Sequence, residues 1–185
     1  MSYYRRKLPH WQPDGKPIFL TWRLFGSLPR GKVPESLKEG QRFVLADRQL
    51  DAARSGPVFL KDPQVADAVQ QTLLTAAGQW ELFDLFAWVI MSNHVHVLLQ
   101  PNKPVQEITR AVKNASARQA NLILARTGRP FWQAESFDHW VRNGKEFDRI
   151  VRYIEENPVK AGLVEGSEMW RWSSAGRVGD PPLLK

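Results

Sequence analysis

The chain has 185 residues, 43% hydrophobic and 24% charged, and its 26 lysines and arginines outnumber 19 aspartates and glutamates to give a net charge of +7. This length and balance suit one domain with a proper core and argue against wholesale disorder, and no apolar run approaches the roughly 18 residues of a membrane span. Cysteine is absent, which excludes disulfides, thiolate metal sites and cysteine nucleophiles.

The start, Met1-Ser2-Tyr3-Tyr4-Arg5-Arg6-Lys7, is basic but lacks the apolar stretch of a secretory signal, and residues 1–16 read as a mobile basic arm. Residues 17–24 are rich in β-branched and aromatic side chains and read as the first strand. Both of its faces carry apolar groups, so its facing stays open: Ile18, Leu20, Trp22 and Leu24 on one side, Phe19, Thr21 and Arg23 on the other. A long excursion over 26–60 follows, punctuated by Pro29, Gly31, Pro34, Gly40 and Gly56, with a short helix expected around 40–53 and no visible chemistry.

Asp62-Pro63 reads as a helix cap with proline at the first helical position. Val65, Val69, Thr72, Leu73 and Ala76 then recur at helical spacing, so 63–77 is a helix with one buried face. Residues 81–91 form a strand in which Phe83, Leu85, Ala87 and Val89 alternate, Ser92-Asn93 turns the chain, and 94–100 return antiparallel. A basic helix spans 105–126, with Ile108, Val112, Ala115, Gln119 and Leu122 inward and Arg110, Lys113, Asn114, Ala117 and Arg118 outward. A sixth element, a strand, is expected within 129–133 or 136–141. A helix over 145–156 follows, capped by Asn143, burying Phe147, Ile150, Val151 and Ile154 and stopped by Pro158. The order is that of the α+β ferredoxin-like β-α-β-β-α-β unit, in a single domain over 1–185 with a tail at 165–185.

Side chains alternate along a strand, so His94 and His96 share a face and Val95 and Val97 take the other. Taken alone, the pair is equally a half-site for a divalent metal and two strand residues with satisfied hydrogen bonds. Tyr153 and Asn157 lie one turn apart at the edge of the last helix's apolar stripe. A phenol there can act as a nucleophile and an amide oxygen can ligate a hard cation, but read alone the first is a boundary tyrosine and the second the helix terminator before Pro158. Positive charge together with eight tryptophans favours polyanions and stacking on unpaired bases.

The segment Ile90-Met91-Ser92-Asn93-His94-Val95-His96-Val97-Leu98-Leu99 resembles the HUH motif of single-tyrosine transposases. Phe131-Trp132-Gln133, the run from Ser136 to Arg142, that from Tyr153 to Val164 and that from Trp170 to Ala175 resemble blocks of the REP-associated tyrosine transposase branch. The resemblance runs from Tyr4 to Ala175, is weakest over 26–60, and departs from the pattern at Ser92, where proline is usual. It implies an HUH domain that cuts and rejoins single-stranded DNA beside an imperfect hairpin through a covalent 5′-phosphotyrosine. It further implies that His94, His96 and Asn157 hold Mg²⁺ or Mn²⁺ and that Tyr153 is the nucleophile.

Arg5, Arg6, Lys7, Arg110, Lys113 and Arg118 are the expected phosphate contacts. Base stacking is expected from among Trp132, Trp140, Trp170 and Trp172, and Asp138, His139 and Arg142 are placed around the site. The partner expected is hairpin-bearing single-stranded DNA, with no membrane, met by a monomer or homodimer in the cytoplasm at the nucleoid. Two other readings stay open: a hairpin-binding protein without turnover, and a metal-dependent nuclease that activates water and leaves Tyr153 structural.

Overall fold

A computed structural model describes residues 2–5, 9–12, 15–28, 36–37, 39–52 and 56–176. The arm expected to be mobile contains a two-stranded antiparallel hairpin, β1 (Ser2–Arg5) and β2 (Pro9–Gln12). Arg6 and Lys7, and the side chain of Arg5, lie outside the described residues.

The body is a four-stranded antiparallel sheet in the order β4-β5-β3-β6, made of β3 (Ile18–Arg23), β4 (Phe83–Ile90), β5 (His94–Pro101) and β6 (Phe137–Trp140). Helix α2 (Pro63–Gly78) follows β3 and helix α3 (Val105–Ile123) follows β5, which completes the expected β-α-β-β-α-β order. The sixth element is the later of the two candidates. Trp132, in the earlier one, makes only an isolated bridge to Leu24. Among the described residues no helix is long and apolar enough to cross a membrane.

The sheet is covered on both faces, which explains why β3 carries apolar groups at both parities. Ile18, Leu20, Trp22 and Leu24 pack with Val95, Val97 and Leu99 against α2 and α3, whereas Phe19 joins Val89 and Leu98 in a second core. That second core is closed by α4 (Gly144–Glu155), through Phe147, Ile150 and Ile154. Two expectations about facing need correction. The alternation over 83–89 is broken by a register shift between Leu85 and Ala87, so Phe83 and Trp88 share one core while Phe86 and Val89 share the other. The buried stripe of α3 runs Ile108, Val112, Ser116 and Ala120 in steps of four, leaving Gln119 and Leu122 exposed; within it the Trp132 indole N–H donates to Ser116 Oγ at 2.9 Å.

Helix starts follow the expected chemistry. Asp62 accepts from the Gln64 amide at 2.9 Å with Pro63 behind it, and Asn143 accepts from the Glu146 amide at 3.0 Å. Replacing Asn143 by alanine should cost about 1 kcal/mol, read from the midpoint of urea unfolding. Pro158 does not simply stop the last helix. The chain breaks at Glu156 and resumes as a single turn, α5 (Asn157–Lys160), with the proline in its first positions.

Candidate active site

His94 and His96 open β5 on the α4 side of the sheet and are both 0% exposed. Each ring is oriented through its Nδ1. His94 Nδ1 lies 2.7 Å from Asn93 Oδ1, and His96 Nδ1 lies 2.7 Å from Thr21 Oγ1, across the β3–β5 pairing that sets Thr21 opposite His96. With Nδ1–H donating to those oxygens, both Nε2 lone pairs turn toward one point, and the two Nε2 atoms are 3.0 Å apart. Burial, with the neighbouring His96, pushes the His94 pKa down to about 3, so this imidazole is neutral, the form that ligates metals.

A third group arrives from a segment in which the sequence showed no chemistry. Helix α1 (Glu39–Asp51) lies within the expected range of the excursion and lays Asp47 against the pair. Asp47 Oδ1 is 3.2 Å from His96 Nε2 and 3.8 Å from His94 Nε2, and ligand atoms of Asp47, His94 and His96 all lie within 4.8 Å of one another. Burial is the largest single influence and works against the Asp47 charge, but the combined pull of His96 and His94 holds the pKa below its ordinary value. Asp51 Oδ1 stands 3.5 Å from His94 Nε2, and burial with the adjacent Asp47 charge pushes its pKa up to about 7. Helix α1 is seated by the Asn93 amide donating to the Leu50 carbonyl at 3.0 Å, and by Phe43 stacked on Phe137 with ring centroids 4.1 Å apart.

Helix α4 brings Tyr153 to the same place. Its ring is 5.6 Å from that of His96, edge to face with Phe19, and its hydroxyl donates to Asp47 Oδ2. Asn157, one turn on and 1% exposed, puts Nδ2 3.4 Å from His96 Nε2 and leaves Oδ1 without a hydrogen-bond partner. Exchanging the amide's oxygen and nitrogen, which are set by the network, would aim that oxygen at the imidazoles. The donor set fits a divalent ion. Two ligands about 2.1 Å from one ion at a right angle lie about 3.0 Å apart, and buried Asp47 Oδ1 and Asn157 Oδ1 are both without donors. A His/Asp cluster of this kind can bind a metal.

The remaining candidates stand elsewhere. His139 Nε2 is 3.1 Å from Glu146 Oε1, and Arg142 donates its backbone N–H to Glu146 at 2.8 Å, so both serve the start of α4 rather than the imidazole pair. Asp138 lines a cavity of about 320 Å³ on the α3 side of the sheet, together with Arg110 and Lys113. The outward course expected of Lys113 is not what the structure shows: its ammonium donates to Ser136 Oγ at 2.7 Å and lies within hydrogen-bond reach of the carbonyls of Gln133, Ala134 and Glu135. Arg110 and Arg118 are exposed.

Trp132 is only 9% exposed and belongs to the core. Trp170 and Trp172 pin the C-terminal segment against β4 and α2: their indole N–H groups donate to the Ile90 carbonyl at 3.0 Å and to Asp67 at 2.8 Å, and Val89 bridges Ser173.

Of the groups that form the site, Asn93, Thr21, Asp47 and Asp51 were not singled out from the sequence. Asn93 abuts the histidine pair, and Thr21 shares the parity of Phe19. Phe43, Asp47 and Leu50 fall at helical spacing, and a carboxylate on such an apolar stripe was the available signal for Asp47.

A family described as Transposase IS200 like matches residues 57–157. The REP-associated tyrosine transposase of Escherichia coli (strain K12) is 29% identical over 98 residues, covering 51% of this chain and 56% of that protein. A relative from Haemophilus influenzae is 30% identical over 108 residues, covering 51% of this chain and 60% of its own length. The chain thus spans little more than half the length of these curated relatives. A solved REP-associated tyrosine transposase bound to a REP hairpin superimposes with a TM-score of 0.58 at 22% identity, covering 96% of this chain and 84% of that one, a likeness of fold.

Proposed function

The chain belongs to the IS200-like transposase family, and from that premise we propose that it cleaves and rejoins single-stranded DNA next to a REP-like hairpin through a covalent 5′-phosphotyrosine. The observation that carries this reading is the meeting of three elements. The Tyr153 hydroxyl is hydrogen-bonded to the same Asp47 whose other oxygen faces the paired imidazoles of His94 and His96. Nothing about a boundary tyrosine requires that arrangement, whereas a nucleophile held beside a metal centre does.

Tyr153 attacks the scissile phosphorus: the phenolic O–P bond forms, the P–O3′ bond breaks, and the phenolic proton is balanced by protonation of the departing 3′-oxygen. The strand is left with a free 3′-hydroxyl and a 5′-phosphotyrosine, which conserves the bond energy for rejoining. In this reading His94, His96 and Asn157 hold Mg²⁺ or Mn²⁺, which when bound supplies Lewis-acid polarisation of the phosphate oxygens. Thr21 and Asn93 fix the two imidazoles, Phe19 and the sheet fix the phenol ring, and the single domain presents them together.

For the strand itself we infer a course around the end of the sheet. A cavity of about 270 Å³ beside the site is lined by Thr21, Arg23, Arg42, Phe43, Asp47 and Phe137. It shares Gln133, Glu135 and Ser136 with the larger cavity bearing Arg110. Arg110 and Arg118 then meet phosphates, and Lys113 contributes by bracing the loop between the cavities. Arg110→Gln should flatten the salt dependence of hairpin affinity by about one unit of log K per log salt; an unchanged slope would remove α3 from the footprint.

The whole reading is tested by incubating the protein and Mn²⁺ with single strands carrying hairpins from its own genomic flank. A protein–DNA species that survives denaturation and disappears on protease treatment is expected. Cleavage that releases a free 5′-phosphate without any such species would replace the transposase with a water-activating nuclease.

A further inference from the structure

We propose that Asp47 joins the metal centre to the nucleophile, with Oδ1 a ligand of the divalent ion and Oδ2 the acceptor that holds the Tyr153 hydroxyl. The inference rests on the reading above, in which His94 and His96 hold the ion and Tyr153 attacks. The family match begins at residue 57, so this carboxylate comes from a segment upstream of the matched region.

The two oxygens face different partners. Asp47 is 4% exposed, and Oδ1 points at both imidazole Nε2 atoms; with each imidazole proton on Nδ1, as the Thr21 and Asn93 contacts place it, no donor closes on it. A buried carboxylate oxygen without a donor is rare in a folded protein and marks a place where another partner belongs. A hard divalent cation is the partner that suits a carboxylate oxygen facing two imidazole nitrogens. Oδ2 meanwhile accepts from the Tyr153 hydroxyl. The three atoms of a carboxylate are rigid, so fixing one oxygen on the ion fixes the direction of the other and hence of the phenol. Helix α1 can impose this because the Asn93–Leu50 bond and the Phe43–Phe137 stack anchor it to the β4–β5 turn and to β6. A chain with Asp47, His94, His96 and Asn157 has two imidazoles, one charged oxygen donor and one neutral one, so Asn157 is not the sole oxygen ligand.

The test uses the full chain. Mn²⁺ affinity is measured by calorimetry for wild type, Asp47→Ala, Asp47→Asn and, as reference, His96→Ala. The ring signal of Tyr153, identified in ¹³C-tyrosine-labelled protein by its loss in Tyr153→Phe, is followed during Mg²⁺ addition. Asp47→Ala is expected to bind Mn²⁺ at least about tenfold more weakly, Asp47→Asn to fall between it and wild type, and the Tyr153 signal to respond to Mg²⁺ only when Asp47 is present. Wild-type Mn²⁺ affinity in both Asp47 variants overturns the inference, whatever the tyrosine signal does. If Asp47→Ala fails to fold, the near-isosteric Asp47→Asn decides. The parent reading fails separately: an adduct that persists in Tyr153→Phe removes the nucleophile without touching the metal affinities.

Discussion

Tyr153→Phe is expected to eliminate the covalent protein–DNA species and to lower strand cleavage by about four orders of magnitude or more, the scale on which removing a nucleophile acts when the rest of a site stays intact. The substitution is a clean one here. The phenyl ring keeps its edge contacts with Phe19 and His96 and its place in the second core, so only the hydroxyl and its bond to Asp47 are lost. The melting temperature should therefore move by a few degrees at most, hairpin affinity should stay within about twofold, and Mn²⁺ should still bind. The three measurements separate loss of chemistry from loss of fold. Cleavage of a hairpin-flanked strand at the wild-type rate by Tyr153→Phe would sink the assignment.

The parts of the fold written in local pattern were legible, and the parts set by tertiary contact were not. The helix over 63–77 was readable because its apolar spacing, its Asp62 cap and Pro63 agree, and all five residues expected inward are buried. The strand pair around Ser92-Asn93 was readable for the same reason. On α3 the local pattern misled: Leu122 continues the apolar spacing, yet at 64% exposure it lies off the buried face, which instead carries Ser116, bonded to the Trp132 indole, and Ala120. The bulge between Leu85 and Ala87 leaves no mark in a stretch apolar at both parities.

The candidate site divides in the same way. His94, His96, Tyr153 and Asn157 were found from spacing and resemblance, and the structure gathers all four. Asp47 was missed because its helix lies in a stretch broken by glycine and proline, where the only signal is one carboxylate, among several, at helical spacing from Phe43 and Leu50. Composition does not separate the tryptophans: Trp132 is buried in the core, whereas Trp170 and Trp172 are half-buried with their indole N–H groups engaged by Ile90 and Asp67.

Ile154→Ala should show that the sheet positions the nucleophile. Ile154 is 0% exposed, and with Phe147 and Ile150 it seats α4 on Phe19, Val89 and Leu98. Truncating a fully buried isoleucine leaves a cavity and should cost about 2–5 kcal/mol, which for a chain of this size lowers the melting temperature by roughly ten degrees. The residue sits between Tyr153 and the turn that carries Asn157, so any settling of α4 into the cavity displaces both groups from the imidazole pair. Leu73→Ala supplies the comparison. Leu73 is 1% exposed in α2, on the opposite face of the sheet, and its truncation should cost a similar amount of stability. At a temperature where both variants are folded, Ile154→Ala is expected to cleave at least about tenfold more slowly than Leu73→Ala, with equal hairpin affinity. Equal cleavage rates in the two would mean that α4 packing does not set the position of Tyr153, and that Asp47 and the substrate strand place the phenol on their own.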